Sequence, residues 1–564
     1  MKNLLKHLAV AMIACMVALA APARVINIDA SAIKGDLTKG LRTAGEKAAM
    51  GDTVVLTFGK GTYTIGGTIQ FKCNLVMRGK GRGKTTLVLD NGSDKGDFKA
   101  FKDDSFINIF GRIDHTISAT ISDMSISLKE HKGLWWEGTE KYAVKIYHAH
   151  HVDIRDVDSY MSNANITNFD LRVCSNVTVT GCNITNYNNS PIGGCLWIRG
   201  EMHNIQVRNN KFYKYGKDEA LGLYSRLVNA NGYVRGSVNR SNIYVTGNDF
   251  YYGGYTGKDK IVKPFNQVLV SLFTDQKKSQ ESCTTRNFHL EGNTFHINDK
   301  CTRCLYLSFD PADRHSDIYI QRNKIINSAL GSTEKYYRQD IEVNDLSQTP
   351  DTIFITDNEV RNDNVVINPS GTPGYSFLLM QGGNVCLDGN KIVNEATIDR
   401  STGKATGVQL IWAGAMGGTV TLRNNVCKGL NNISTVGAGD GTPLFTINAT
   451  NNYFAGDTRV YCHNIEQLHL NFTSNTFVSE DANFFLQEFA SRGTLVFNNN
   501  KVTVNVGGGK LMTHWSKAPL QSMRFDRLEV RNNTFKGVKS ETELLKNIVN
   551  AGKRTVRSNT VRHR

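Results

Sequence analysis

The chain has 564 residues, of which 66 are Lys or Arg and 51 are Asp or Glu, and its formal net charge is +15. Its 11 cysteines are spread along a long chain, which excludes a small scaffold held together by dense disulfides. The positive charge favours an acidic partner: an acidic polysaccharide, another anionic cell-surface polymer or nucleic acid. Nucleic acid ranks last because no RNA-binding pattern of interleaved aromatic and basic residues is present. Lys and Arg that simply cover solvated faces would give the same charge.

Residues 1–23 have the pattern of a secretory signal peptide. Lys2 and Lys6 precede an apolar run over 8–20, and small-residue cleavage sites follow it. Cys15 gives the run a weak resemblance to a lipoprotein box, although the apolar run continues past it. The run is short for a membrane span, and no later segment is apolar enough to make one. The sequence therefore predicts export to the periplasm, the cell surface or the medium, without a transmembrane segment.

The next part of the chain has the features of a cap. Residues 31–49 predict a short amphipathic helix, and stretches with strand-like alternation follow it at 51–56, 59–71 and 74–90. A helix followed by such strands can close the end of a solenoid, where an apolar core would otherwise be open to solvent. We therefore predict that 24–90 forms an N-terminal cap and the first coils.

An eight-residue stretch, IQVRNNKF at 205–212, recurs along the rest of the chain. Each copy has alternating apolar residues, then an Asn, one variable residue and an apolar one, which indicates a strand followed by a turn. A period of about 20 to 50 residues is typical of a solenoid, in which one unit cannot bury its apolar face alone. We predict that the Asn points inward at the same corner of each coil and bonds the backbone and the next Asn, with Cys182 in this place in one coil. The clearest other copies lie at 243–250, 288–295, 318–325, 353–360, 385–392, 420–427, 495–502 and 528–535.

The cap and the repeats together resemble a known superfamily. The stretch GDTVVLTFGKGTYTI at 51–65, the glycine-rich LVMRGKGRGKTTL at 75–87 and the Asn repeats are similar to the pectate-lyase superfamily of right-handed parallel β-helices. The resemblance covers most of 25–564. It implies an all-β fold, a right-handed single-stranded parallel β-helix with a short N-terminal capping helix and coils over 91–564. Because the superfamily contains lyases, hydrolases, epimerases, esterases and non-catalytic proteins, it does not imply one activity.

A second strand follows each Asn repeat, and its alternation predicts which side chains reach the outside of the rod. Apolar residues such as Leu171, Leu196 and Leu221 should point inward. Their neighbours should then face outward, and many of them are charged or aromatic: Lys145, Tyr147, Asp170, Arg172, Trp197, Arg199, Tyr224, Tyr306, Ser308 and Asp310.

The longest coils lie in the middle of the chain. Extra length falls between about 226 and 407, in segments that separate the predicted strands. Insertions into a solenoid become loops on one or two of its faces, often the binding face. We therefore predict a walled groove over these outward-facing side chains.

The stretch 217–226, KDEALGLYSR, is the leading candidate for a functional site. It places Asp218 and Glu219 at the entrance of an outward-facing strand, with Tyr224 and Arg226 further along. Rings stack on pyranose faces and Arg pairs with uronate carboxylates, so such a face suits an acidic sugar. The substrate-binding candidates on this and neighbouring strands are Arg172, Trp197, Arg199, Arg226 and Tyr306.

Two reactions use such a face, and the residues leave both open. A glycoside hydrolase needs two carboxyl groups that flank the scissile bond, and the candidates are Asp170, Asp218, Glu219 and Asp310. A polysaccharide lyase needs a base for the proton α to the uronate carboxyl, and the candidates are Lys145, Lys217 and Tyr224. It also needs a group that stabilises the enolate, either Arg172, Arg199 or Arg226, or a Ca²⁺ ion held by Asp218 and Glu219.

Motif sets of the superfamily do not decide between these reactions. The polygalacturonase-like branch is expected to carry NTD, DD, GHG and RIK on successive coils, but 218–219 only loosely resembles DD, and GHG and RIK are missing. The calcium pectate-lyase signatures WIDH and RxPxxR are missing too, since 197–200 reads WIRG. Residues 217–225 resemble the acidic strand of chondroitinase-B-like and alginate-lyase-like β-helices over too short a stretch to transfer catalytic roles.

Two further features lie near the predicted groove. Trp135 and Trp136 fall in a loop before an outward-facing strand, where they form either a sugar platform or a cover for the end of the core. The histidines of 148–151 indicate a polar turn rather than a metal site, because no partner ligands accompany them in the sequence.

Together, these patterns predict an exported carbohydrate-active enzyme that cleaves an acidic, uronate-containing polysaccharide, by elimination in preference to hydrolysis. The alternative is a non-catalytic cell-surface or secreted protein that binds glycan along its rod. Convergence of Asp218, Glu219, Arg199 and Arg226 in a groove favours catalysis. Aromatic residues without clustered acid and base groups favour binding.

Overall fold

The structure is a computed structural model that describes residues 22–562 apart from several segments. Nearly all of the predicted signal peptide lies outside the described residues, and so do four site candidates: Trp135, Trp136, Lys217 and Arg226. The segments not described within this range are 91–103, 130–140, 163–165, 188–192, 217, 226–227, 230–231, 234–235, 253–267, 275–279, 298–302, 328–337, 363–374, 395–407, 415, 430–431, 437–443, 457–459, 464–466, 490–491, 515–523 and 549–550.

The strands form three parallel sheets that the chain visits in turn. A strand pairs in parallel with the strand one coil earlier and with the strand one coil later, as Leu221–Tyr224 does with Leu196–Arg208 and Val268–Phe273. In all, 45 strands belong to this hydrogen-bonded network. The fold is therefore a parallel β-helix, as the sequence predicts.

The strands are assigned to sheets by their pairing partners. Four long strands turn corners between sheets: Ile117–Leu128, Lys141–Ser162, Ile166–Thr180 and Leu196–Arg208. Sheet 1 otherwise contains Ile69–Phe71, Ser105–Phe110, Leu221–Tyr224, Val268–Phe273, Arg303–Phe309, Arg338–Asp345, Tyr375–Gln381, Val408–Ala413, Asn432–Val436, Val460–His463, Asn483–Phe489 and Lys510–His514. Sheet 2 otherwise contains Val25–Asp29, Thr53–Thr57, Asn74–Arg78, Gly236–Thr246, Gln280–Glu291, Arg314–Gln321, Thr352–Thr356, Asn384–Asp388, Gly418–Arg423, Phe445–Thr450, Leu468–Thr473, Arg492–Asn498, Arg524–Arg531 and Ala551–Arg557. Sheet 3 otherwise contains Gly61–Ile65, Thr85–Leu89, Asn183–Tyr187, Lys211–Tyr215, Asp249–Tyr252, Thr294–Ile297, Lys324–Asn327, Glu359–Asn362, Lys391–Asn394, Val426–Lys428, Tyr453–Ala455, Thr476–Ser479, Lys501–Val504, Thr534–Lys536 and Thr560–Arg562.

Alternation places one face of each strand in a continuous apolar core. In sheet 1, Leu221 and Leu223 pair with Val270 and Leu272 of the next coil, and all four are fully buried. The residues between them, such as Gly222 and Ser271, then lie on the outer side of the sheet. A separate antiparallel pair joins Val228–Asn229 to Gly232–Tyr233 in the connection between sheets 1 and 2.

The repeated Asn forms a ladder at the corner between sheets 2 and 3, as predicted. Asn210 donates through Nδ2 to the Val179 carbonyl at 2.9 Å and to Asn248 Oδ1 at 3.0 Å, and Asn248 Oδ1 also accepts from Asn210 N at 2.9 Å. The same bonds recur coil after coil up to Asn559, and Cys182 N donates into the ladder at Asn210. Each Asn thus satisfies turn groups that the strand pairing leaves unpaired. The later rungs are Asn293, Asn323, Asn358, Asn390, Asn425, Asn452, Asn475, Asn500 and Asn533.

Short helices lie at both ends of the rod. The capping helix Leu37–Lys47 begins after Asp36, whose side chain accepts from Lys39 N, and it buries Leu41. It packs so closely on sheet 1 that a Cβ at Gly45 would lie 2.1 Å from a backbone oxygen. The other helices are the 3₁₀ turn Ala30–Ala32 and Glu541–Leu544. Among the described residues, no helix has the length and apolar character needed to span a membrane.

The longest connections flank sheet 1. The chain from 253 to 267 enters the sheet-1 strand Val268–Phe273, and the chain from 275 to 279 leaves it. Segments 328–337, 363–374 and 395–407 enter the later strands of the same sheet. Most of the walls of the predicted groove lie outside the described residues.

Candidate functional site

Sheet 1 brings the predicted site residues into two parallel rows on its outer side. Strand pairing aligns Lys145, Asp170 and Trp197 in one row. Adjacent strands lie about 4.8 Å apart, so residues in a row are close neighbours. Their sequence neighbours Leu171 and Ile198 are buried in the core, which confirms the predicted alternation. The second row aligns Tyr147, Arg172, Arg199 and Tyr224.

Asp170, Arg172 and Arg199 form a buried ion-pair cluster. Arg172 Nε donates to Asp170 Oδ2 at 2.5 Å, and Arg199 Nε makes an ion-pair contact at 2.9 Å with Oδ1 that lacks hydrogen-bond geometry. Both guanidinium groups also lie over the Tyr142 ring, at 4.9 and 5.7 Å from its centre. These side chains lie on the outer side of the sheet, but the cations and the ring enclose the carboxylate. Asp170 is 0 %, Arg172 7 % and Arg199 5 % exposed.

Trp197, a predicted substrate-binding residue, is enclosed as well. It is only 3 % exposed, with the Arg199 guanidinium 4.3 Å from its ring centre and the Tyr224 ring edge-on at 5.9 Å. A tryptophan that is covered on its face does not offer that face to a sugar ring. Its indole Nε1, however, is buried without a hydrogen-bond partner among the described residues.

Glu219 and Tyr224 form the most direct acid–base contact of the candidate site. The Tyr224 hydroxyl donates to Glu219 Oε2 at 2.5 Å, and both side chains are half-buried. Burial raises the pKa of Glu219 above its ordinary value, and it raises the pKa of Tyr224 well above its own, with the neighbouring carboxylates adding to the second shift. A carboxylate and a phenol in this contact can pass a proton to or from a bound molecule.

Asp218 adjoins this pair but is held by the backbone. Its Oδ2 accepts from Gly193 N at 2.8 Å, and its own backbone has a φ of 66°, in the left-handed region that Asp tolerates better than most residues. Lys145 is likewise engaged, since its Nζ donates to both oxygens of Asp104 at 2.9 Å.

A second charged cluster lies further along sheet 1. Tyr306 pairs in register with Glu342, and Arg303 forms an ion pair with Glu342 while lying 5.3 Å from the Tyr306 ring centre. Sequence reasoning did not select Glu342, although the alternation of DIEVND at 340–345 would have placed it outward, beside Tyr306. Asp310, a predicted catalytic carboxyl, lies in the turn after the strand Arg303–Phe309. Its backbone N–H donates to Asp313 Oδ2 at 2.7 Å.

Asp218 and Glu219 do not fit the Ca²⁺ site that the sequence left open as an alternative to the arginines. Ca²⁺ takes six to eight oxygen ligands, whereas Asp218 and Glu219 are only two carboxylates, each already accepting a hydrogen bond. Among the residues that the structure describes, no group of three or more His, Cys, Asp or Glu is placed to hold a metal. His150 is exposed within the strand Lys141–Ser162, and its Nδ1 lies 3.2 Å from Thr116 Oγ1.

The chain was compared with known proteins by sequence and by structure. A scan against family models and a search of curated proteins returned no match. Among solved structures, a mannuronic acid-specific family 6 polysaccharide lyase from human gut microbiota is 12% identical, with a TM-score of 0.32, covering 89% of this chain and 91% of its own. A mutant tailspike protein of E. coli bacteriophage HK620 with a pentasaccharide is 13% identical, with a TM-score of 0.32, covering 94% and 77%. A mutant DFA-IIIase from Arthrobacter chlorophenolicus with DFA-III is 10% identical, with a TM-score of 0.24, covering 96% and 99%. Likeness at this level carries no functional argument, and the fold rests on the strand pairing described above.

Proposed function

We propose that the outer side of sheet 1 binds and cleaves an acidic, uronate-containing polysaccharide. The observation that carries the proposal is the contact between Tyr224 and Glu219, beside the cationic cluster of Arg172 and Arg199. That cluster holds two cations against the single carboxylate of Asp170, so its net charge is positive and favours an anionic sugar. Long connections on both sides of the sheet fit a groove for an extended polymer.

Elimination is the reaction that we favour. A base takes the proton α to the uronate carboxyl, the bond to the leaving oxygen breaks, a C=C bond forms and the leaving oxygen gains a proton. Tyr224 and Glu219 can serve both transfers. Glu219 accepts the phenol proton as Tyr224 takes the α proton, Tyr224 then gives a proton to the leaving oxygen, and Glu219 returns the phenol proton to Tyr224. Arg199 lies 5.6 Å from the centre of the Tyr224 ring and adds positive charge where the enolate develops.

Hydrolysis is the second candidate, and a specific observation favours it. A carboxyl group whose pKa is raised by burial, as that of Glu219 is, matches the general acid of a glycoside hydrolase. The adjacent Asp218 would then be the second carboxyl. The enclosure of Asp170 argues against that residue as a catalytic carboxyl, and the non-catalytic alternative is glycan binding along the rod.

Assays on a panel of uronate polysaccharides distinguish elimination, hydrolysis and non-catalytic binding. We expect elimination to produce both new reducing ends and the ultraviolet absorbance of an unsaturated uronate. New reducing ends without that absorbance would overturn elimination and favour hydrolysis. Measurable binding to a polymer with neither product would overturn cleavage and favour the non-catalytic protein.

We further propose, from the sequence alone, that the chain is exported to the periplasm, the cell surface or the medium. The signal-like pattern over 1–23 supports this. Expression with and without these residues, followed by fractionation, tests it. Retention of the full chain in the cytoplasm would contradict it.

A further inference from the structure

Lys214 is a fully buried lysine next to the candidate site, and the proposed chemistry does not use it. It lies on the sheet-3 strand Lys211–Tyr215, two residues after the buried Phe212, so it points into the β-helix. Its ammonium donates to Gly193 O at 2.7 Å, Asn186 Oδ1 at 3.1 Å and the Tyr215 carbonyl at 3.4 Å. All three acceptors are neutral, so no opposite charge bonded to the ammonium offsets the free energy that its burial costs.

These hydrogen bonds fix a turn that carries the site. Gly193, whose carbonyl accepts from Lys214, donates its own N–H to Asp218 Oδ2 at 2.8 Å. Asn186, the second acceptor, donates to Gly194 O at 3.1 Å and to another buried amide. Lys214 and Asn186 therefore hold the Gly193–Gly194 turn from inside the β-helix, while Asp218 binds it from the residues that precede the sheet-1 strand Leu221–Tyr224.

The same turn sets the positions of Trp197 and Glu219. A Cβ at Gly194 would lie 2.2 Å from Trp197 Nε1 and 2.8 Å from the Glu219 backbone oxygen. The Trp197 indole and the Glu219 backbone thus pack directly against Gly194, where there is no space for a side chain. A shift of this turn would move both.

Lys214 also acts on the site through its charge. Burial lowers the pKa of Lys214, whereas the Cys195 thiol and the carboxylates of Asp218 and Glu219 act to raise it. In the other direction, burial raises the pKa of Glu219, while its hydrogen bond from Tyr224 and the charges of Lys214 and Arg199 lower it.

We propose that Lys214 is a positioning residue of the site, which holds the Gly193–Gly194 turn from within and acts on Glu219 through its charge. For its effect on turnover, this role rests on the proposed cleavage. The geometry and the charge effect stand without it, because they concern the protein in the absence of substrate.

The test is a pH titration of the Trp197 fluorescence in the protein without polysaccharide. The chain has five tryptophans, and subtraction of the Trp197→Phe spectrum isolates the signal of interest. We expect a transition that Glu219→Gln removes, with a midpoint that moves to higher pH by about 0.5 to 1 unit in Lys214→Met. Lys214→Arg keeps the charge and should keep the midpoint near that of the native protein.

An unchanged midpoint in Lys214→Met would overturn the proposal, as would an equal shift in Lys214→Arg or a transition that survives Glu219→Gln. If Lys214→Met does not fold, Lys214→Gln replaces it, because glutamine is neutral but still donates to Gly193. Asn358→Ala, a ladder variant remote from the site, should leave the midpoint unchanged. Product assays separate the two claims: a shifted midpoint with no product overturns only the proposed cleavage, and product with an unshifted midpoint overturns only the role of Lys214.

Discussion

Asp170 has no exposed surface, and Arg172 and Arg199 contact its two oxygens. A buried carboxylate is tolerated when opposite charges compensate it. Here two cations compensate one anion, so the cluster keeps positive charge while it fixes the positions of both guanidinium groups. At the scale of residues, Asp170 therefore orients the arginines and leaves the proton transfers to Glu219 and Tyr224.

This role predicts a loss of stability when the carboxylate is neutralised. Asp170→Asn leaves two buried guanidinium groups without a counter-charge, so we expect the free energy of unfolding to fall by about 3 kcal/mol. Urea unfolding followed by circular dichroism measures it. Asp153→Asn is the matched control, because Asp153 pairs at 3.5 Å with the exposed Arg155 on a neighbouring stretch of sheet, and it should cost at most about 1 kcal/mol. Equal effects of the two substitutions would contradict the assignment.

Among the elements, the corner between sheets 2 and 3 depends on the Asn ladder. Asn358 donates to Ile320 O and Asn390 Oδ1, both at 2.9 Å, and accepts from Asn323 N at 2.9 Å. Each rung thus joins three coils. The ladder sets where each sheet-3 strand begins, and through it the position of the sheet-1 strand that follows.

Removal of one rung should be costly. Asn358→Ala leaves the Asn323 N–H and the Ile320 carbonyl buried and unpaired, so we expect the free energy of unfolding to fall by about 2 to 4 kcal/mol. Asn471→Ala is the control, since Asn471 is exposed and accepts only from Thr473 Oγ1 at 3.2 Å in the described part of the chain. It should change stability by less than about 0.5 kcal/mol. A loss at Asn358 as small as that at Asn471 would show that the ladder is dispensable.

The alternation of inward and outward residues along each strand made the fold predictable. The same alternation could not predict how deeply the site residues are buried. Because side chains alternate with a period of two residues, the sequence predicts which side of a sheet Asp170 and Arg172 occupy. It does not predict whether other side chains enclose them. That depends on partners such as Tyr142, which come from other coils. Lys214 was predictable in part, since it follows Phe212 by two residues and so shares its inward side. Its role was not, because Asn186 and Gly193 reach it from elsewhere in the chain.

At the scale of the whole molecule, acid should weaken the C-terminal end of the rod. Burial raises the pKa of Glu529, but hydrogen bonds from Arg527, Asn498 and Arg531 outweigh it and lower the pKa from 4.5 to about 2. Because the folded pKa is depressed, this stabilisation is complete above about pH 4.5 and is lost as the pH falls towards 2.

Comparison of Glu529→Gln with the native protein isolates this contribution. We expect the variant to be less stable at pH 6, and the difference between the two melting temperatures to shrink between pH 4.5 and 2. Glu46→Gln, on the exposed side of the capping helix, should follow the native protein throughout. A difference that stays constant with pH would contradict the effect of Glu529.

The central claim is that Glu219 and Tyr224 transfer protons during cleavage of an acidic polysaccharide. The most direct test is the turnover of Glu219→Gln and Tyr224→Phe on the best substrate of the uronate panel, measured beside polymer binding. We predict that turnover falls at least about 100-fold in both variants, while binding stays within a few-fold and Glu46→Gln behaves as the native protein. Native-level turnover in either variant would contradict the claim.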